Sequence, residues 1–281
     1  MAHFTSYDGA KLAYRRSGSG PPLVCLPGGP GLDPRYLGDL GGLGRSRELI
    51  LPDIRGTGGS EAPADPAAYR CDRIARDVEA LRAELSLERM DLLGHSAGGN
   101  VALLYAAAHP ERIGHLILLA PGVRALGLAF TDEEQQAAMR RRSAESWFET
   151  AWAAAQAADD GDDSARTTLG YQPFLYGRWD NAALAHARAV LSDEAAPVRA
   201  GFYAGGAFDP PATRAALVTL TGPVLVYAGE LDALAPPELL AQAAGLFPGW
   251  ELTTQPGAGH FPWLDDPAQF AGALHAFLSG A

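Results

Sequence analysis

The sequence predicts an α/β protein: a mostly parallel, twisted sheet flanked by helices, with a helical insertion after one of the central strands. Three observations predict it. Short apolar runs recur between stretches of helical periodicity, the pattern of parallel strands joined by crossover helices. Two extended segments at the start flank an Asp-Gly turn, the pattern of an antiparallel hairpin. Strand signals stop after Pro121 and resume only near Pro223.

The elements follow in order. Residues 2–7 and 11–16 flank Asp8-Gly9 and form the hairpin at the sheet edge, which makes the sheet mixed. Residues 23–26, 48–52, 90–93, 115–120, 223–228 and 250–254 are the apolar runs expected as strands. Apolar residues spaced by three and four mark helices at 69–85, 98–108, 237–247 and 267–278, with Ile74, Val78, Leu81 and Leu85 on one face of the first. The stretch 122–212, rich in Ala, charge and aromatics, is expected as a helical cap over a core formed by 1–121 and 213–281. Within it, Asp159-Asp160-Gly161-Asp162-Asp163 reads as an exposed interhelical loop, since its spacing fits no EF-hand.

The 281 residues, 47% hydrophobic and 20% charged, suit one large domain or a domain with an insertion. With 22 Lys+Arg against 33 Asp+Glu the formal charge is -11, so the surface repels phosphate backbones and anionic headgroups; neither nucleic acid nor a membrane is expected as a partner. No basic stretch followed by an apolar one opens the chain, and no apolar run is long enough to span a bilayer. The expectation is a soluble, cytoplasmic protein acting on a small molecule, with homo-oligomerisation left open. Cys25 lies in an apolar strand run and Cys71 at a helix start among Arg70, Asp72 and Arg73; two such cysteines make no disulfide framework, and both read as inert.

Gly94-His95-Ser96-Ala97-Gly98 matches G-x-S-x-G, and its context is a strand signal before it and a helix signal after it. A sharp strand-to-helix turn lifts the serine above the sheet, and flanking glycines leave room where side chains would collide. The helix N-terminus faces the negative charge that develops on a reacting carbonyl. The plainer reading of Ser96 is an ordinary helix N-cap.

A serine nucleophile needs a base, and in enzymes built on such a turn the chain order is Ser, then Asp or Glu, then His. His3, His109 and His115 precede Ser96 or lie too near it, His95 points elsewhere, His186 falls in the insertion and His275 on the last helix. His260 sits in the Gly-rich loop straight after the last strand, where a catalytic residue belongs in an open sheet. The acid follows an earlier strand: Asp232 is the candidate, with Glu230 as its rival. Oxyanion donors are the Ala97 N-H and the Gly29 N-H, the latter in the turn Leu26-Pro27-Gly28-Gly29-Pro30-Gly31. A triad activates its own nucleophile, so no metal or organic cofactor is expected.

On these motifs the chain resembles the prolyl iminopeptidase-like branch of the α/β-hydrolase superfamily, which are serine hydrolases, across nearly its whole length. Pro27-Gly28-Gly29-Pro30-Gly31 resembles that branch's H-G-G-P-G, and Asp53-Ile54-Arg55-Gly56-Thr57-Gly58-Gly59-Ser60 its D-x-R-G-x-G-x-S loop. The resemblance implies the α/β-hydrolase fold, Gly29 at the oxyanion hole, Arg55 in a structural loop beside the site, and acid and base at Asp232 and His260. Two departures bear on substrate. Pro27 stands where the branch has histidine, and Gly94-His95-Ser96-Ala97-Gly98 differs from the G-G-S-W-G of true iminopeptidases and looks like the version found in esterases and lactonases.

Iminopeptidases hold the substrate's amine with cap carboxylates, which makes Glu145, Glu149 and Glu194 candidates by location; solvated helix faces explain them equally well. The insertion also carries Trp147, Phe148, Trp152, Phe174, Tyr176, Trp179, Phe202, Tyr203 and Phe208, a density that suits either an apolar pocket roof or the packing of the insertion on the core; Trp147 and Trp179 are the candidate substrate-binding residues among them, together with Phe261 beside the base. Haloalkane dehalogenases and epoxide hydrolases resemble this fold but place an aspartate where Ser96 stands. The expected activity is hydrolysis of a carboxylic ester, lactone or small amide through an acyl-enzyme. The alternatives are a proline-releasing aminopeptidase, and a ligand-binding member without catalysis.

Overall fold

The structure, a computed structural model, describes residues 1–192 and 195–280. Eight strands form one sheet: β1 Ala2–Thr5, β2 Lys11–Gly18, β3 Pro22–Leu26, β4 Glu48–Pro52, β5 Met90–His95, β6 Ile113–Leu119, β7 Val224–Gly229 and β8 Trp250–Gln255, in the spatial order β1-β2-β4-β3-β5-β6-β7-β8. β1 and β2 pair antiparallel, β2 joins β4 antiparallel with Tyr14 opposite Pro52, and every later pairing is parallel. The expected α/β-hydrolase fold is the one present, with its mostly parallel sheet flanked by helices.

Alternation along each strand sends side chains to two apolar layers. Val24, Leu26, Leu116 and Leu118 pack with Ile74, Val78, Val101 and Leu240 on one face. Leu23, Cys25, Ile117 and Leu119 pack with Phe270, Leu274 and Leu278 on the other. Burial on both faces explains why these strands read as continuous apolar runs rather than alternating ones. β8, at the edge, is mostly exposed or half-buried.

α1 Cys71–Glu84 and α2 Ala97–Ala108 fall on the expected helical stretches. Between β6 and β7 lie α3 Asp132–Arg140, α4 Phe148–Asp159, α5 Ala165–Gly170, α6 Asn181–Ser192, α7 Ala196–Phe202 and α8 Pro210–Leu217, with no strand among the described residues. α8 packs on α2 and crosses position 212, so the helix continues past the expected end of the insertion. α9 Pro237–Gly245, the short α10 Pro262–Asp265 and α11 Pro267–Ser279 complete the chain; Asp266 caps α11 by accepting from the Gln269 N-H, and Gly280 ends it in the left-handed region. In the acidic loop, Asp162 accepts from the Ser164 N-H at 2.9 Å and the Thr167 hydroxyl at 2.6 Å, organising the start of α5. Both cysteines are buried, and burial pushes both thiols up.

Arg55 is fully buried. It donates to both Asp77 oxygens at 2.6 Å and to Asp8 at 2.6 and 3.1 Å, tying the β1–β2 turn to α1. Burial works against its charge, but these carboxylates outweigh it and the pKa is raised. Burial in turn pushes Asp77 up, against the pull of Arg55.

Two glycines separate packing from helix propensity. A Cβ on Gly94 would lie 2.5 Å from the Gly98 carbonyl oxygen and 2.9 Å from Ala102 Cβ. Exposed Gly272, inside α11, has nothing within 4 Å of that position. Gly94→Ala is expected to lose about 1–3 kcal/mol to overpacking, whereas Gly272→Ala gains about 0.5–1 kcal/mol. Urea unfolding midpoints of the two variants check this.

Candidate active site

The turn from β5 to α2 is sharp, and Ser96 occupies it at φ 52, ψ -125. For a residue other than glycine this costs on the order of 1–3 kcal/mol, so the surroundings must impose it. They do so through the backbone: the Ser96 N-H donates to the Leu119 carbonyl at 3.0 Å, and the Ser96 carbonyl accepts from Gly99 at 2.8 Å and Gly122 at 2.7 Å. Glycines admit the close approach. A Cβ on Gly98 would sit 2.6 Å from the Leu26 and Pro27 oxygens, and one on Gly28 would sit 2.7 Å from Ser96 Cβ.

Asp232 and His260 come from the loops after β7 and β8, neighbouring parallel strands whose C-terminal ends lie side by side. His260 Nδ1 meets Asp232 Oδ2 at 2.7 Å. The other carboxylate oxygen accepts from the Leu234 and Ala235 N-H groups at 2.8 and 3.1 Å. Both residues are buried. Donation from Nδ1 to a carboxylate leaves Nε2 as the acceptor nitrogen. The rival acid turns away: exposed Glu230 accepts from the Gly257 N-H at 2.7 Å. Beneath the loop, Gln255 donates to the Pro262 carbonyl at 3.0 Å and accepts from the Tyr227 hydroxyl at 2.7 Å.

Ser96, His260, Gly29 and Phe261 line one cavity of about 510 Å³. No hydrogen bond joins Ser96 Oγ to His260 in this arrangement, though both face that space. The Gly28 N-H is engaged, donating to the Tyr36 hydroxyl at 2.8 Å. Among the described residues, the N-H groups of Gly29 and Ala97 have no protein acceptor. A larger cavity of about 750 Å³, lined by Arg35, Arg45, Tyr36 and Trp263, contains none of the three candidate catalytic residues, so chemistry rather than size selects the site.

A family model described as alpha/beta hydrolase fold matches residues 21–267. The chain belongs to the alpha/beta hydrolase family. The hydrolase is similar to the 2-hydroxymuconate semialdehyde hydrolase of Pseudomonas sp. (strain CF600), 28% identical over 97% of this chain and 92% of that one. It is 43% identical over 102 residues to the proline iminopeptidase of Lactobacillus helveticus, covering 35% of each chain, in keeping with the resemblance in its motifs. Among solved structures it resembles the esterase RhEst1 from Rhodococcus sp. ECU1013, with 26% identity, a TM-score of 0.75 and 99% and 98% of the two chains covered.

Sequence reasoning missed the polar relay that joins the hydrolase's three site loops. His95 Nε2 donates to the His260 carbonyl at 3.0 Å, and His95 Nδ1 accepts from the Tyr36 hydroxyl at 2.6 Å, which itself accepts from Gly28. From α6, His186 Nε2 donates to the Tyr36 carbonyl at 3.1 Å, and its Nδ1 accepts from the Tyr176 hydroxyl at 2.8 Å. The His260 N-H donates to the Leu175 carbonyl at 2.7 Å. Burial and nearby His260 hold the His95 pKa well below 6.5; burial lowers His186 as well. Both rings are therefore neutral, as this pattern of donors and acceptors requires.

Of the expected substrate contacts, Phe261 lines the cavity and the others do not. Trp147 packs edge-on to Phe174 at 5.3 Å under the Arg142 guanidinium, and Trp179 lies against Tyr176 at 5.4 Å. Glu145 pairs with Arg142 at 3.1 Å at the surface, and Glu149 is exposed on α4. These residues bury the insertion's own interior or face solvent, which composition alone does not separate from a pocket roof. Glu194 lies outside the described residues. Arg55, engaged with Asp8 and Asp77, does not line the cavity. Of the aromatics expected to roof a pocket, Tyr203 does line the cavity; Arg124, Thr168, Tyr171, Gln172 and Arg199 line it as well, and no spacing motif marks them.

Both neutral histidines set a pH dependence. Their folded pKa values lie below the ordinary 6.5, so near pH 5–6.5 the unfolded chain binds protons that the folded chain refuses. Stability is complete above about pH 6.5 and is lost as pH falls below it, by at most about 1.4 kcal/mol per pH unit for each ring. His95→Gln is expected to flatten that slope between pH 5 and 6.5, read from urea unfolding at several pH values.

Proposed function

We propose that this hydrolase cleaves a carboxylic ester, lactone or small amide through an acyl-enzyme on Ser96. The observation that carries the reading is the Asp232–His260 hydrogen bond, with His260 lining the same cavity as Ser96 and Gly29, and with the Gly29 and Ala97 N-H groups lacking a protein acceptor among the described residues. Ser96 Oγ attacks the substrate carbonyl as His260 Nε2 takes its proton. The carbonyl oxygen, now an anion, accepts from the Gly29 and Ala97 N-H groups. His260 returns the proton to the leaving group, the C–O or C–N bond breaks, and the acyl-enzyme remains. Water, deprotonated by the same ring, then releases the acid and restores Ser96. Asp232 keeps the ring in the required tautomer and balances its transient charge.

Residues 122–212 act as the cap, since Thr168, Tyr171 and Tyr203 from that stretch close the cavity above Ser96. We place the enzyme in the cytoplasm, where two unpaired buried cysteines suit a reducing compartment. An aminopeptidase reading has the iminopeptidase likeness in its favour. Against it, no carboxylate among the described residues lines the cavity to receive a substrate ammonium, so esters and lactones are preferred.

Turnover of p-nitrophenyl acyl esters, lactones and proline p-nitroanilide tests this. Esters or lactones are expected to be cleaved and the anilide not, with Ser96→Ala lowering kcat by at least about 10⁴-fold. Full activity in Ser96→Ala would remove the assignment, and turnover of the anilide alone would restore the aminopeptidase.

A further inference from the structure

Resting on the hydrolase reading above, we propose that the cavity beside Ser96 selects substrates whose acyl part carries a carboxylate, with Arg124 and Arg199 as the cations that recognise it. The lining is the first ground. Apart from the two histidines already described, the charged residues among its described members are these two arginines, and no Asp or Glu accompanies them. In a chain with 33 acidic and 22 basic residues, a cationic lining runs against composition. Among the described residues, Asp232, next to the lining residues His260 and Leu234, has both oxygens engaged by His260, Leu234 and Ala235.

Geometry is the second ground. Arg124 lies in the 3-10 turn after β6, and Arg199 on α7, so the cations reach the cavity from opposite ends of the helical insertion. They converge on Tyr203, which also lines it. The Arg124 guanidinium carbon stands 4.7 Å from the centre of the Tyr203 ring. Arg199 lies on α7 and Tyr203 directly follows that helix's last residue, so both enter the cavity wall from one short segment. Burial raises the Tyr203 pKa and both guanidinium groups pull against it, as expected of two cations around one phenol. Among the described residues Arg124 has no carboxylate partner, while a planar guanidinium is matched to bidentate carboxylate binding.

Size is the third ground. Ser96 and both arginines line the same space of about 510 Å³, so one small acyl group held there can meet the serine and a cation together. The field of the two arginines opposes a substrate ammonium, which separates this cavity from one built for free N-termini.

The test compares mono-p-nitrophenyl glutarate with its methyl ester, which differs only in having the distal carboxylate blocked, and follows p-nitrophenol release above the Ser96→Ala background. In the wild type kcat/KM is expected to favour the free acid by about tenfold or more, with the preference shrinking as salt rises. The ratio is expected to fall at least about fivefold in Arg124→Gln and to recover in part in Arg124→Lys, with Arg199→Gln acting in the same direction. Taken within one variant, the ratio is insensitive to how much of that variant is folded. Equal turnover of both esters by the wild type, or an unchanged ratio in Arg124→Gln, would overturn this inference and leave the hydrolase reading standing. Failure to cleave either ester while other acyl esters or lactones are turned over would overturn this inference alone, and failure on the whole panel would remove the hydrolase reading as well.

Discussion

The hydrogen bond between His260 and the Asp232 carboxylate is the interaction on which the rest of the site depends. A buried carboxylate is costly unless its oxygens are satisfied, and here an imidazole and two backbone N-H groups do so. That arrangement fixes which imidazole nitrogen carries the proton. It holds the ring over the cavity and requires the loops after β7 and β8 to lie against each other. Gly229 shows how tight that contact is: a Cβ there would meet the Gly259 carbonyl oxygen at 2.0 Å.

Sheet topology supplies the remainder. Parallel pairing of β3, β5, β6, β7 and β8 brings the loops carrying Gly29, Ser96, Asp232 and His260 to one edge of the sheet, although the insertion and α9 separate them in sequence. The relay through Tyr36, His95 and His186 then locks the loops of Gly29, Ser96 and His260 to one another and to the helical insertion. The geometry of the candidate site and the packing of the insertion are thus parts of one hydrogen-bonded unit, so a change in the insertion can reach His260 without touching it.

Much of this was legible in the sequence because it is encoded locally. Burial on both faces writes the strands as continuous apolar runs, a Gly-flanked serine writes the turn, and a Gly-rich loop after the last strand writes the position of His260. The choice of Asp232 over Glu230 was not settled by sequence, because both stand in one short loop and only its fold shows which carboxylate reaches the ring. The cavity wall was less legible still. Trp147 and Trp179 have the chemistry of pocket residues yet pack within the insertion, while Arg124, which no motif marks, stands over the Tyr203 ring and lines the cavity with Arg199. Residues brought together by tertiary packing of short helices leave no periodic trace.

The most direct test of the account is the rate at which a fluorophosphonate forms a covalent adduct, with the modified residue located by peptide mass mapping, in the wild type, Asp232→Asn and Glu230→Gln. The account predicts a single adduct on Ser96 in the wild type, a rate lower by orders of magnitude in Asp232→Asn, and a rate close to wild type in Glu230→Gln. An adduct elsewhere, or equal rates in wild type and Asp232→Asn, would contradict it.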